Sequence, residues 1–243
     1  MQIKIRFRSD KNINLPIAHR HAVQSMIYNV LTLCPEYSKA LHDKGITGHE
    51  NISFKLFTFS PFKGNYTRFD KRIIFENEID FEVRCHDPFM CRLLLEGFSC
   101  GSEFQLLHNK LTVISCKAEN RIIENNTVIV KMVSPVTVLA NTSDKHTAYF
   151  SPEEHIFYER LVANAFRKWC TLFNEDDFDL KISPADGKFS KLVTLFKGTY
   201  VNAWNGRFVL EGKSEVLSFL YNVGLGNKSS QGFGMFEICE KSN

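Results

Sequence analysis

No apolar run in this 243-residue chain approaches the roughly 20 residues needed to span a bilayer. The N-terminus, MQIKIRFRSD, alternates charge where a secretion signal would carry an apolar stretch. A cytoplasmic protein with no membrane partner is the expectation. The seven cysteines (Cys34, Cys85, Cys91, Cys100, Cys116, Cys170, Cys239) are odd in number and scattered, without a C-x-x-C pair to open a zinc or redox site. Buried free thiols are therefore expected. The full phosphate-loop pattern G-x-x-x-x-G-K-S/T is lacking, since Gly212-Lys213-Ser214 has Arg207 in place of the first glycine, and paired carboxylates and metal-ligand spacing are lacking too, so neither a nucleotide cofactor nor a metal is expected.

What is present suits a self-folding chain: 28.0 kDa, 44% hydrophobic and 23% charged. That length accommodates two compact domains, each with its own core. The net charge of +3 conceals an uneven distribution. Residues 1–75 carry 12 Lys and Arg against 5 Asp and Glu, residues 76–180 carry 10 against 17, and residues 181–243 carry 8 against 5. A polyanion gripped by surfaces from both ends of the chain would account for this asymmetry, as would chance clustering of solvated charges.

Ile3 to Arg8 alternates apolar and basic residues, the period of a half-buried strand. From Ala18 to Leu33 apolar residues recur at helical spacing, and a second helix runs from Pro35 towards Gly45. Strands are expected at Phe54–Phe59 and Arg72–Arg84, the latter with an acidic outer face of Glu76, Glu78, Asp80 and Glu82, unsuited to RNA. A helix over Pro88–Phe98 and extended segments within 103–118 complete the order βαββαβ, the ferredoxin-like plan. The rhythm then repeats. A strand at Thr127–Val133 precedes a helix opened by Ser151-Pro152-Glu153-Glu154 and running to about Phe173. Strands near 178–182, 192–196 and 200–210, a helix from Ser214 to Asn222 and a strand over Phe233–Ile238 follow, with Asn205-Gly206 as a hairpin turn or a bulge. The predicted fold is α+β: two tandem ferredoxin-like domains, residues 1–122 and 123–243.

The densest glycine cluster is Gly224-Leu225-Gly226-Asn227-Lys228-Ser229-Ser230-Gln231-Gly232-Phe233-Gly234. In nucleotide-binding folds such a turn leaves a strand and opens a helix. Here a helix enters and a strand leaves. The loop can still bring backbone N–H groups, the Ser229 and Ser230 hydroxyls and the Lys228 ammonium to the phosphates of a nucleic acid.

This pattern, G-x-G-x-x-x-x-x-G-F-G before a short strand, resembles the glycine loop of the CRISPR repeat-cleaving endoribonucleases, in the repeat-associated superfamily of tandem ferredoxin-like proteins. Leu15-Pro16, His19-Arg20-His21, Gln24, Ile27-Tyr28, Leu41-His42 and Lys55-Leu56-Phe57-Thr58-Phe59-Ser60 resemble the family's N-terminal block. Ser134-Pro135-Val136-Thr137-Val138 resembles the start of its second domain, so the likeness covers nearly the whole chain. It implies metal-independent cleavage of precursor CRISPR repeat RNA by the RNA's own 2′-hydroxyl, leaving a 2′,3′-cyclic phosphate. The resemblance also sets a rival reading, a non-catalytic subunit that retains guide RNA. Retention in an interference complex and pairing as a homodimer are left open.

By resemblance the catalytic histidine falls on His42, at the end of the second helix, where the helix C-terminus favours an imidazolium and so a general acid. The tyrosine falls on Tyr28, on one helix face with Gln24 and His21, to orient or deprotonate the 2′-hydroxyl. The lysine falls on Lys55, whose charge would stabilise the phosphorane. His19 and His21 are reserve candidates; His49, His86, His108, His146 and His155 have no supporting motif. RNA contacts are expected from Gly224, Gly226, Asn227, Lys228, Ser229, Ser230, Gly232 and Gly234, from His21 and Gln24, and from Lys188, Lys191, Lys197 and Arg207.

Overall fold

The alternation at the N-terminus builds strand β1 (Gln2–Arg8), which buries Ile3, Ile5 and Phe7 and exposes Lys4, Arg6 and Arg8. The computed structural model describes residues 1–47, 52–141 and 147–239; His49 and His146 lie outside the described residues. After β1 come β2 (Ile13–Pro16), α1 (Arg20–Leu31), α2 (Pro35–Asp43), β3 (Ile46–Thr47), β4 (Ser53–Phe54), β5 (Phe57–Phe59), β6 (Tyr66–Phe69), β7 (Arg72–Phe75), β8 (Glu78–Cys85), α3 (Pro88–Gly97), β9 (Glu103–Leu106) and β10 (Asn109–Glu119). The main sheet has the order β5-β8-β1-β10-β9, every pair antiparallel. Helices α1 and α3 cover it, packing Ile27, Leu94 and Phe98 onto Ile3, Phe7 and Phe81. Without the edge strand β9, this is the ferredoxin-like order.

The second half repeats the plan with β11 (Thr127–Met132), β12 (Leu139–Asn141), β13 (Thr147–Tyr149), α4 (His155–Trp169), β14 (Leu180–Pro184), β15 (Ser190–Phe196), β16 (Thr199–Asn205), β17 (Arg207–Gly212), α5 (Ser214–Val223) and β18 (Phe236–Ile238). Its sheet runs β14-β17-β11-β18, the same strand order, over a second core that includes Phe157, Leu161, Phe208 and Leu220. The chain is thus two tandem ferredoxin-like folds. Strands β15 and β16 form a separate two-stranded hairpin, inserted between β14 and β17.

Arg84 ties the halves together. Its side chain is fully buried, stacks 3.7 Å from the centroid of Tyr221, and donates to Glu82, to the Phe236 carbonyl at 2.6 Å and to Glu237 at 2.8 Å.

Several sequence expectations are corrected. The Phe54–Phe59 run is two short strands, because Lys55 and Leu56 leave the ladder between β4 and β5. The Arg72–Arg84 run is also two strands, broken at Glu76-Asn77. Its acidic face is neutralised by β1: Arg6 pairs with Asp80 at 2.7 Å and Arg8 with Glu78 at 2.7 Å, while Glu82 is buried. Helix α4 begins at His155, not at Pro152, since Ser151 and Glu154 close a turn ahead of it through the bond from the Ser151 N–H to the Glu154 carboxylate. Gly206 splits the 200–210 run, and the hairpin turn lies at Lys197-Gly198, both in the left-handed region. The last strand starts at Phe236 because Phe233 and Gly234 belong to the glycine loop. All seven cysteines are free, but only Cys85, Cys91 and Cys170 are buried, and Cys100 is exposed.

Candidate active site

Three elements converge on one corner of the first fold. Tyr28 sits on the last turns of α1, His42 on the last turn of α2, and Lys55 in the gap between β4 and β5. The Tyr28 and His42 rings meet edge to face with centroids 5.3 Å apart. Lys55 Nζ lies 5.6 Å from the Tyr28 centroid and donates to the His42 carbonyl at 2.6 Å. The break in the strand thus frees Lys55 to reach the end of α2, where unpaired carbonyls and the helix dipole attract a cation.

The side chains differ in exposure. His42 is 60% exposed, and its Nδ1 lies 2.9 Å from Asp43 Oδ1, which leaves Nε2 outside that contact. The bond to His42 holds the Asp43 carboxyl below its ordinary value. The Tyr28 hydroxyl is buried and has no hydrogen-bond partner among the described residues. Burial pushes its pKa up to about 12. The Lys55 ammonium is lowered by partial burial and then by the charge of Lys197, at the tip of the β15–β16 hairpin. Lys197 is in the left-handed region, φ 48°, so the turn itself aims this cation across the fold boundary.

The glycine loop, residues 224–234, packs between both halves. Gln24 Nε2 donates to the Ser230 carbonyl at 2.8 Å, and Thr58 Oγ1 to the Phe233 carbonyl at 3.1 Å. Gly232, at φ +83°, passes so close to Phe59 that a Cβ would lie 2.5 Å from its ring. A Cβ at Gly226 would lie 2.5 Å from the Thr137 carbonyl. The N–H groups of Gly224, Asn227, Gly232 and Gly234 bond to Leu220, Thr137, Ser229 and Pro135 within the protein. Asn227 Oδ1 also accepts from the Leu139 N–H at 3.1 Å. The outward chemistry of the loop therefore falls to Lys228 and Ser230, which are half-buried, more than to Ser229, which is buried.

The other expected residues separate. His21 is exposed, edge-on to Phe196 at 5.9 Å. His19 is occupied elsewhere, bonded to the Pro16 carbonyl at 2.8 Å and stacked on Phe62, and burial lowers its pKa. Lys188, Lys191 and Arg207 lie at the base of the hairpin, roughly 20 Å from its tip at the rise of a seven-residue strand. There Arg207 pairs with Asp186 at 3.5 Å, and Lys191 lies over Trp204. His86 packs against Phe173 and Phe219, and His155 faces Glu159.

Two cations, the half-buried Arg20 and the buried Lys168, touch the loop and went unassigned from sequence. Arg20 donates to the Gly232 carbonyl at 3.4 Å and stacks 4.9 Å from the Phe233 centroid; burial lowers it to about 10. Lys168 donates to two loop carbonyls from beneath. A signal for Lys168 exists: Phe157, Leu161, Ala165 and Lys168 recur at helical spacing, which puts the lysine on the apolar face of α4.

Comparison with known proteins agrees with this architecture. The family model for the CRISPR-associated protein Cas6, C-terminal, matches residues 117–238. A Methanocaldococcus jannaschii protein named CRISPR-associated endoribonuclease Cas6 1 is 26% identical, the alignment covering 100% of this chain and 94% of that one. A solved structure from Pyrococcus furiosus, described as the product of a Cas6-related gene, superposes with a TM-score of 0.83 at 22% identity over 100% of this chain and 99% of its own. Another, described as an RAMP protein binding different RNA substrates, gives 0.82 at 22% identity over 99% and 100%. With its C-terminal half matched by the family model and its tandem fold shared from end to end, the chain belongs to the Cas6 family of CRISPR repeat-processing proteins.

Proposed function

We propose that this protein is a metal-independent endoribonuclease that cuts CRISPR repeat RNA within precursor transcripts to release guide RNAs. The observation that carries the reading is the convergence of His42, Tyr28 and Lys55 from three separate elements. In this reading residues 1–122 form the cleaving domain and residues 123–243 the domain that supplies the glycine loop.

The 2′-hydroxyl attacks the adjacent phosphorus, forming the new P–O2′ bond as its proton passes to solvent water. The P–O5′ bond breaks and O5′ takes up a proton, giving a 2′,3′-cyclic phosphate and a 5′-hydroxyl. His42, exposed and with Nε2 not engaged by Asp43, transfers the proton to O5′ as a general acid. Tyr28 keeps its proton far above neutral pH, which supports a role as donor and orienter and argues against a base. Its partnerless hydroxyl is suited to bond an incoming RNA oxygen. Lys55 and Lys197 place positive charge where the phosphorane gains negative charge. Lys228 and Ser230, with the basic residues of the hairpin, hold the RNA backbone.

A binding-only role is the second reading, favoured by the engagement of Lys55 with the His42 carbonyl, which a purely architectural lysine would also make. The test is incubation with the repeat RNA in excess EDTA, alongside a copy with a 2′-deoxy sugar at the cut position. One cut in the normal RNA, none in the deoxy copy, and loss of cutting with His42→Ala are expected. Tight binding without a cut in any lane would replace the nuclease by the binding-only reading.

A further inference from the structure

Lys168 takes no part in the proposed chemistry, yet it is placed where a lysine is costly. It is 3% exposed, inside the second core, on the apolar face of α4. A buried ammonium persists only where something compensates it. Among the described residues no carboxylate does so: Glu215 on α5 bonds to Ser214, Glu211 on β17 takes Lys181 of β14, and the Tyr221 hydroxyl turns to Gln2. On α4 itself Glu159 faces His155, and burial is the sole cause of the lowering of Lys168 to about 7. The cations near it in sequence are Arg160 and Arg167, also on α4, while Lys228 belongs to the loop itself and is lowered by burial.

The compensation comes from the glycine loop. Lys168 Nζ donates to the carbonyls of Gly224 and Gly226, each at 2.8 Å. Both glycines are left-handed, at φ 77° and 68°, where their own backbone offers little resistance to rearrangement. One turn earlier on the same helix face, Asn164 keeps a buried, partnerless Oδ1, so oxygen acceptors are the polar groups on this side of the ammonium. The other loop carbonyls are held from the opposite side, Ser230 by Gln24, Gly232 by Arg20 and Phe233 by Thr58. The segment that carries Lys228, Ser229 and Ser230 therefore hangs between two sets of ties, and Lys168 supplies both side-chain bonds to its entry.

We infer that Lys168 is a positioning residue for RNA binding: clamped on the Gly224 and Gly226 carbonyls, it fixes the loop conformation that presents Lys228 and Ser230 to the RNA. The inference rests on the reading that this loop meets RNA. Replacement by a hydrocarbon leaves two buried carbonyls unpaired in the stretch with least intrinsic preference, so the loop loses the tie that selects one conformation.

The test compares wild type, Lys168→Met and Lys168→Arg on the uncleavable 2′-deoxy repeat RNA from pH 6 to 8, with single-turnover cleavage of the normal RNA at saturation. Lys168→Met is expected to weaken binding at least tenfold at pH 6 while leaving cleavage at saturation within threefold, with Lys168→Arg between. Wild-type affinity should fall as pH rises and the clamp loses its charge; the Lys168→Met profile should be flatter. Equal affinity and an equal pH profile in wild type and Lys168→Met would overturn the inference. Should Lys168→Met not fold, hydrogen exchange of wild-type loop amides decides, with protection expected to drop as pH passes 7; constant protection overturns it. Failure of the wild type to bind RNA at all would remove the loop–RNA reading, while loop exchange would still report on the clamp.

Discussion

Lys55 is engaged both as a cap and as a candidate catalytic cation, and the two roles differ enough in size to be separated. Lys55→Met keeps the aliphatic stem and removes the charge. As a cap, Lys55 gives one charged hydrogen bond to the last turn of α2 from a half-exposed position. Such a contact contributes about 0.5–1 kcal/mol, which in a chain of this size moves Tm by about 1–4 °C. As a preorganised charge at a developing oxyanion, it contributes about 2.7–4 kcal/mol, or about 100- to 1,000-fold in rate. Lys55→Met is therefore expected to slow single-turnover cleavage by about two to three orders of magnitude while Tm falls by no more than about 4 °C. The alkaline limb of the rate profile adds a second reading. Burial and the Lys197 charge lower the Lys55 pKa, so its charge is lost at a lower pH than for an ordinary lysine. Lys197→Gln removes the like charge and should carry that limb to higher pH. Cleavage by Lys55→Met within threefold of wild type, with the small loss of Tm intact, would refute the catalytic reasoning and leave Lys55 a helix cap.

Other outcomes follow from single contacts. Tyr28→Phe removes a buried hydroxyl without a partner, so the free protein should gain about 1 kcal/mol in urea denaturation while cleavage falls; a loss of stability would mean the hydroxyl is bonded. Because burial raises the Tyr28 pKa, its titration leaves stability unchanged below pH 10 and lowers it as pH rises towards about 12, measurable as a pH dependence of unfolding that Tyr28→Phe lacks. Arg84→Met strands Glu82 in the interior and should cost about 3–5 kcal/mol by denaturant midpoint; a loss under about 1 kcal/mol would show that the two halves are held mainly by other contacts. Gly232→Ala combines a left-handed φ with a clash on Phe59 and should destabilise by about 1–3 kcal/mol and weaken RNA binding; unchanged affinity would detach the loop from the RNA surface.

Much of the architecture was legible because periodicity reports burial. The alternation in β1, the apolar stripes of α1 and α5, and the order of elements predict both ferredoxin-like sheets. Strand breaks were not legible: Lys55-Leu56 and Glu76-Asn77 continue the local alternation, and only tertiary pairing shows where the ladder stops. Tyr28, His42 and Lys55 came from family resemblance, since a lone residue of each type has no distinctive spacing. Arg20, Arg84 and Lys168 escaped because a charged residue is ordinarily solvated. Their burial depends on carbonyls and rings contributed from distant segments, such as Phe236, Tyr221 and Gly224, that no local window contains.

The inserted hairpin has a consequence for how such a protein can diverge. Among the described residues strands β15 and β16 share a ladder only with each other; the base is pinned by the bridge between Val136 and Trp204, and the Thr137 and Tyr149 hydroxyls donate to the Asn202 and Tyr200 carbonyls. Phe196 and Val201 rest on Phe233, and beyond them only the turn at Lys197-Gly198 projects. Adding one residue to each strand past Phe196 would advance the tip by about 3.3 Å without altering either sheet. The hairpin is in effect an adjustable ruler: insertions and deletions of paired residues can retune the distance between the Lys197 cation and the corner that holds Lys55, His42 and Tyr28 while the folding problem stays solved.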